Sequence, residues 1–402
     1  MAGISQSGST GKGGTKFAVG GKQAGALQAH VLLLIACLPI LGMLVIAPVL
    51  PEMQRYFADV DGVAYLVPLA LTAPALVIVL ISPFAGRIAA RLGRKPTLTI
   101  SLLLYLVAAT APLYLHSLLS IVLSRLVVGA AEALLMTVST MLIGDYFEST
   151  RRDRYLAYQI VYTSVSAVLF LVIGGMLGEA GWRMPFLAYF VALLLLPFVL
   201  ILIWEPAGPP HEEAHASSKM PWGQVFPVYL ITFFAGGCMN LVAVELGYLI
   251  EAVGTNSTTL KGAAAAANSA GIAVGAVVIG IIRVRDRVTQ LVASLALGAG
   301  GFGMMGLSPN VPGVIMGGAL VGLGSGFYLG WLLAAVNRPL SFDTRGRGVG
   351  LWMASYFLAT VLAPASAVLL SGPFGGLQPA MLAYAGVMGA FALLAPILLR
   401  GR

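Results

Sequence analysis

Apolar runs of about twenty residues alternate with short polar breaks along almost the whole chain. Twelve can be read, near 30–50, 63–85, 97–115, 118–143, 156–178, 185–204, 225–250, 262–282, 288–307, 312–336, 347–370 and 378–399. Each is long enough to cross a bilayer as a helix. Two polar stretches frame them. Residues 1–28 are rich in Gly, Ser and Lys and read as a disordered tail; the first apolar run follows too late, and without an A-x-A site, to be a secretory signal. Residues 205–223 read as a linker between two bundles of six helices, 29–204 and 224–402. The predicted fold is an all-α membrane protein of twelve transmembrane helices in two pseudo-symmetric halves.

Lys and Arg set the orientation. With both termini in the cytoplasm, the inner side collects Lys12, Lys16, Lys22, the Arg87–Lys95 and Arg151–Arg154 clusters, Lys219, Arg283, Arg285, Arg287, Arg338, Arg345, Arg347, Arg400 and Arg402. The outer side keeps Arg55, Arg183 and Lys261, so the positive-inside rule favours one topology. An inner (cytoplasmic) membrane location is expected.

An internal repeat accompanies the division. A shift of 193 residues lays Val128-Gly129 on Val321-Gly322 and Arg154 on Arg347, and a shift of 194 lays Gly86 on Gly280. Duplicated halves are how many transporters build a midplane site between two rocking bodies. In this register Glu132 meets Ser325 and Arg125 meets Gly318. The charges of the fourth run are therefore not duplicated.

That run, Ser120–Ile143, carries Arg125 and Glu132 seven residues apart, about 10.5 Å along a helix and on one face. Each costs about 2.5–3.5 kcal/mol at a bilayer centre, so both should point at protein or at a water-filled cavity. Glu132, near mid-helix, is the leading proton-carrier candidate. Arg125, in the outer half, either caps carbonyls, holds an anionic substrate group or tunes a nearby carboxyl. Glu245, below the outer end of the seventh run, is a further coupling or gate candidate.

Composition narrows the chemistry. Of 402 residues 59% are hydrophobic and 9% charged, too little charge for a soluble surface. The net charge of +8 lies in loops between apolar runs, so it reads as topology and not as a nucleic-acid surface. Cys37 and Cys238 sit within apolar runs without metal-ligand spacing, and His211 and His215 fall in the linker. No metal or cofactor is expected. Nucleotide-loop spacing is missing, so an enzyme is not; Gly322-Leu323-Gly324 reads as close helix packing.

The loop Gly86-Arg87-Ile88-Ala89-Ala90-Arg91-Leu92-Gly93-Arg94-Lys95 resembles the G-x-x-x-D-R-x-G-R-[KR] loop of the major facilitator superfamily, with Ala90 where the family has Asp. Ser124-Arg125-Leu126-Val127-Val128-Gly129 is similar to that family's R-x-x-x-G motif in the fourth helix. Ala47-Pro48-Val49-Leu50-Pro51, Gly181-Trp182-Arg183-Met184-Pro185-Phe186 and Arg345-Gly346-Arg347-Gly348 resemble its helix ends. The antiporter signature of the fifth helix keeps only Gly174-Gly175, with Ser166 and Phe170-Leu171 at its other positions, while Ala359 and Ala363-Pro364 supply a similar pattern in the eleventh. The resemblance implies the twelve-helix major facilitator fold and a conformational switch at Gly86, Arg91, Gly93 and Arg94, with Asp145 able to pair with Arg91 or Arg347. It also implies a role for Arg125 in proton transfer.

Polar and aromatic residues on the cavity-forming helices make the expected substrate set: Tyr158, Gln159 and Tyr162 in the fifth, Asn240 in the seventh, Asn268 in the eighth, Tyr328 and Trp331 in the tenth, Trp352 and Tyr356 in the eleventh. Aromatics with few amides suit an amphipathic or cationic organic compound. The expected function is proton-coupled efflux of such compounds by a monomer embedded in the lipid bilayer, with a small-molecule substrate and protons as partners. The alternative is proton-coupled uptake of a small anion held by Arg125.

Overall fold

The computed structural model describes residues 24–147, 149–206, 220–282, 287–340 and 342–399. The tail to residue 23, most of the linker with His211 and His215, and the side chain of Arg347 lie outside the described residues. Twelve helices long and apolar enough to cross a membrane occur among them. They are α1 Ala26–Tyr56, α2 Val63–Leu92, α3 Arg94–Leu113, α4 Leu118–Tyr146, α5 Ser149–Gly178 and α6 Met184–Leu202. After the linker come α7 Trp222–Ala252, α8 Thr258–Ile282, α9 Arg287–Leu307, α10 Val311–Asn337, α11 Phe342–Ser371 and α12 Leu377–Leu399. Several begin or end beyond the apolar runs, and α1 starts inside the stretch expected as tail. The apolar run marks the hydrocarbon slab, and helical backbone continues past it into polar sequence.

Two helices are irregular where the chemistry gathers. α1 is broken into Ala26–Ile35, Leu38–Leu44, a 3₁₀ turn Ala47–Val49 and Leu50–Tyr56. Pro39, Pro48 and Pro51 each remove a backbone donor, which frees carbonyls of the preceding turn. α7 holds a π-helical stretch, Thr232–Gly236.

Buried apolar side chains gather in two clusters. One spans α1 to α6 and takes in Val244, Ala265 and Ala266; the other runs from Met220 to Ala395. Glycine seams let helices approach within each. A Cβ on Gly129 of α4 would lie 2.5 Å from the Pro74 carbonyl of α2, and Gly322 of α10 abuts the Asn268 carbonyl of α8 in the same way. The two positions aligned by the 193-residue repeat thus make equivalent contacts in the two halves. Along the same seam Gly326 of α10 meets Gly275 of α8 backbone to backbone and Gly271 of α8 lies against the Ala319 carbonyl of α10, small residues spaced by four on both helices, while Gly324 lies against Ser294 of α9. Helix packing is the structural role of the Gly322-Leu323-Gly324 segment.

The halves also meet at the end that the basic loops predict to be outer. Arg55 of α1 reaches Glu251 of α7 at 2.7 Å and the Asn256 side chain at 3.1 Å. Lys261 of α8, fully buried, holds the other Glu251 oxygen at 2.7 Å. Gly175 and Gly178 of α5 pack against Thr258 of α8, and Gly247 of α7 against Pro51. Arg55→Ala is expected to loosen this closure, read as faster labelling of a cysteine placed at Gly247 by a membrane-impermeant thiol reagent.

Glu179, just beyond α5, accepts hydrogen bonds from the Ser257 hydroxyl (2.7 Å) and the Thr259 N–H (2.9 Å). The bond from the Thr259 N–H, then that from Ser257, hold its carboxyl below the ordinary range. A depressed folded pKa means the contribution is present above the unfolded value and is lost as pH falls through the folded one. Solvent access at this junction, read by hydroxyl-radical footprinting of residues 251–261, should therefore rise only once the pH drops below the usual carboxylate range.

At the opposite end the motif loop joins α2 to α3, and its contacts differ from those expected. Gly93 takes φ +91° and makes the sharp turn between α2 and α3. Gly86, the motif's other glycine, lies inside α2 with open space around it and takes no part in the turn. Asp145 pairs with Arg94, not with Arg91. The turn carries Arg94 back over the end of α4, whereas Arg91 stays on the exposed side of α2. Glu205 caps α3, accepting from the N–H groups of Arg94 at 2.7 Å and Lys95 at 2.9 Å, which satisfies two donors the helix start leaves open. Glu205→Ala should cost about 1 kcal/mol of stability, measured as a lower unfolding midpoint in detergent.

Candidate functional site

The charges of α4 lie inside the first bundle. Arg125 and Glu132 are both fully buried. They converge on one residue that the sequence did not single out. Arg125 Nη2 donates to the Gly42 carbonyl in the broken stretch of α1, and a Cβ on Gly42 would collide with Glu132 Oε1. A glycine here leaves room for the carboxylate, and the break in α1 leaves its carbonyl free for the guanidinium. The helix spacing of seven sets both side chains toward the same neighbour.

Two tyrosines complete the cluster. Tyr189 of α6 donates to the same Gly42 carbonyl at 3.1 Å and lies under the Arg125 guanidinium at 5.4 Å. Tyr105 of α3 donates to the Leu38 carbonyl at 2.7 Å and packs edge-on against Tyr189. Arg125 Nε and Nη1 and both Glu132 oxygens remain without hydrogen-bond partners among the described residues. A buried carboxylate in this condition is costly as an anion, and a proton would remove the charge. Tyr105 and Tyr189 were not legible as site residues, since a lone tyrosine in an apolar run gives no signal of its own.

The expected substrate residues divide. In α5, Tyr158 is exposed, Gln159 donates to Thr140 of α4 at 3.1 Å, and the Tyr162 hydroxyl lies 2.9 Å from His30 Nδ1 in α1. Gln159 is thereby engaged in helix packing. In the second half, five residues gather around the π stretch of α7. Trp352 Nε1 donates to Thr232 Oγ1 at 3.0 Å, the Tyr328 hydroxyl to the Ile231 carbonyl at 2.7 Å, and the Tyr356 hydroxyl to Asn240 Oδ1 at 3.0 Å. Trp331 stacks on Tyr328. Gly236, within the π stretch, lies against both Tyr328 and Tyr356. A π-helical insertion often marks a functional turn, and here it re-aims Thr232 and the Ile231 carbonyl toward these rings.

Tyr328, Trp331 and Trp352 are buried in the second core, so in this conformation they face packed side chains and not an open cavity. Asn240 and Tyr356 are half-buried. Asn268 stands apart, donating to the Gly318 carbonyl at 2.8 Å and stitching α8 to α10. Glu245 does not join the Arg125 cluster; it lines a cleft with Gln54, Pro68, Tyr248 and Glu251.

Duplicated seams, a junction between the halves at one end and a buried ionisable pair are the architecture of a many-helix membrane transporter. The family model of the Major Facilitator Superfamily matches residues 32–246, more than half the chain, and the chain belongs to that family. Among curated relatives, the quinolone resistance protein NorA of Staphylococcus aureus is 31% identical over 220 residues, which is 52% of this chain and 55% of that protein. The class H tetracycline resistance protein of Pasteurella multocida is 24% identical over 230 residues, 57% of this chain and 56% of that one. The chain thus spans about half the length of the curated relatives it matches.

Solved structures agree on the fold. A bacterial homologue of the human lysosomal transporter Spinster, in an inward-facing and occupied conformation, superposes with a TM-score of 0.76 at 15% identity, covering 92% of this chain and 97% of that one. A D-xylose–proton symporter gives 0.72 at 15% identity with the same coverage of both chains.

Proposed function

We propose that this protein exports small amphipathic organic compounds from the cytoplasm across the inner membrane, coupled to proton entry, by alternating access. The observation that carries this reading is the Glu132 carboxyl, fully buried beside Arg125, with neither oxygen hydrogen-bonded among the described residues. A carboxyl so placed gains most from a proton when the bundle is closed around it, and gives it up when rearrangement admits water or brings a cation nearer.

Arg125 tunes this exchange from the Gly42 carbonyl, and the irregular α1 is the element whose shift would change the Arg125–Glu132 spacing. Substrate would be met by the half-buried Asn240, Tyr356 and Tyr162 and the exposed Tyr158, backed by Trp352, Tyr328 and Trp331. Gly93, Arg94 and Asp145 form the inner switch, and Gly86, Arg91 and Arg347 take part through the family resemblance alone. The relatives named for quinolone and tetracycline resistance support an organic substrate. Uptake of an anion on Arg125 fits less well, because the guanidinium has no exposed surface here.

The test is transport in proteoliposomes with a quinolone and a tetracycline under an imposed pH gradient. Accumulation driven by the gradient supports the proposal; accumulation indifferent to it contradicts coupling.

A further inference from the structure

A second site with its own chemistry lies at the outer end, apart from the Arg125 cluster. A cleft of about 400 Å³ opens there between the halves. Gln54 of α1 and Pro68 of α2 line one side, Glu245 and Tyr248 of α7 and Ser371 of α11 the other. Glu245, Tyr248 and Ala252 recur at spacings of three and four, so α7 presents them as one stripe.

The two carboxylates in the wall differ in what holds them. Glu251 is neutralised, with Arg55 on one oxygen and Lys261 on the other. Glu245 is only 4% exposed, yet no hydrogen-bond or ion-pair partner among the described residues meets its carboxyl. One turn away, the buried Tyr248 hydroxyl is likewise without a partner. A carboxyl that opens only onto the cleft and an enclosed hydroxyl one turn away, neither bonded to a described residue, are an incomplete polar set.

The missing member is a hydrogen-bond donor, and the surroundings select its kind. A hard metal ion would require about six oxygen ligands, and among the described residues no group of three metal-ligating side chains occurs. An anion would meet the carboxylate with the wrong sign. An alkylammonium group satisfies both oxygens at once, lies within reach of the Tyr248 ring, and leaves its apolar body against Ala64, Pro68 and Leu377. We infer that the outer cleft is a binding site for a small organic ammonium compound, with Glu245 as counter-ion and Tyr248 as second hydrogen-bond partner.

The site goes beyond the proposed export cycle, and it stands whether or not Glu132 couples protons. Because its walls come from both halves, an occupant is held by the outer-closed arrangement and loses one wall when the halves part there. Binding therefore stabilises the closed outer end.

The test is binding of phenethylammonium, with phenethyl alcohol as the uncharged counterpart, to the purified full-length protein in lipid nanodiscs. The ammonium should bind at least about tenfold more tightly than the alcohol, and Glu245→Gln should remove that preference. The ammonium should also shield Glu245 from a hydrophobic carbodiimide, read by mass spectrometry of the labelled peptide. Ala64→Phe, which fills the cleft from α2 and keeps the carboxyl, should weaken binding by a similar factor. Equal binding of amine and alcohol, or undiminished binding by Glu245→Gln, would overturn the inference. So would loss of binding in Glu132→Gln, which would put the ammonium inside the first bundle. Retained binding in Glu132→Gln supports the cleft, even if that variant transports normally and so refutes the proposed proton carrier.

Discussion

Glu132→Gln is expected to reduce pH-gradient-driven substrate accumulation in proteoliposomes to the level of empty vesicles, while the protein still purifies as a folded species. The amide keeps the shape of the side chain in its fully buried site but cannot gain or lose a proton. A purely structural Glu132 would give the opposite pattern. Removing a buried, unpartnered carboxyl would then leave transport intact and raise stability, as happens when a costly buried charge is replaced by a neutral group. Gly42→Ala sharpens the test. Its added methyl occupies the place of Glu132 Oε1, and the carboxylate is the flexible end of a side chain, so it is displaced while the backbone stays. The variant should fold, retain Glu132, and lose coupled transport nearly as fully as Glu132→Gln. Accumulation by Gly42→Ala at the wild-type rate would separate the carboxyl's position from its function.

The second large effect concerns assembly. Gly326→Leu should abolish recovery of monodisperse protein from detergent, because the new side chain would be driven into the Ile272 carbonyl and the Gly275 backbone of α8. Overpacking costs about 1–3 kcal/mol even where neighbours can shift, and backbone cannot swing aside as a side chain does. Gly86→Leu is the matched control. Its position has open space, so the protein should be recovered in normal amount, read by size-exclusion chromatography. Equal recovery of the two would mean that the α8–α10 seam is not a close backbone contact.

The contrast between those glycines shows why some of the structure was legible and some was not. The twelve helices could be read directly because hydrocarbon demands an unbroken apolar run for each crossing. Arg125 and Glu132 stood out for the same reason: a charge in such a run is expensive, so it marks a place. Their partner did not stand out. Gly42 is one of 49 glycines, and its meaning comes only from Glu132 approaching it across the bundle. Gly86 and Gly93 belong to one motif, yet only Gly93 has the left-handed backbone that needs glycine.

Depth was harder to read than identity. Tyr328, Trp331 and Trp352 were expected to face substrate, and they fall in the second core, bonded or stacked around the π stretch of α7. Periodicity reports a shared face but not whether that face meets a cavity or another helix. The π stretch itself rotates the later residues of α7 out of the regular register, so no fixed period could have predicted it. The pairing of Asp145 was open for a similar reason. The turn at Gly93 decides which arginine reaches it, and that choice depends on geometry after the turn.

Proton release on ligand binding tests the central role of Glu132 most directly. Purified protein in weakly buffered detergent solution is mixed with ethidium, a permanent cation whose own charge does not titrate, and a pH indicator follows the solution. The wild type should release about one proton per ethidium bound, since displacement of the proton from a single carboxyl is the coupling step. Glu132→Gln should bind without release, and Glu245→Gln should release as the wild type does. Undiminished release from Glu132→Gln would contradict the account.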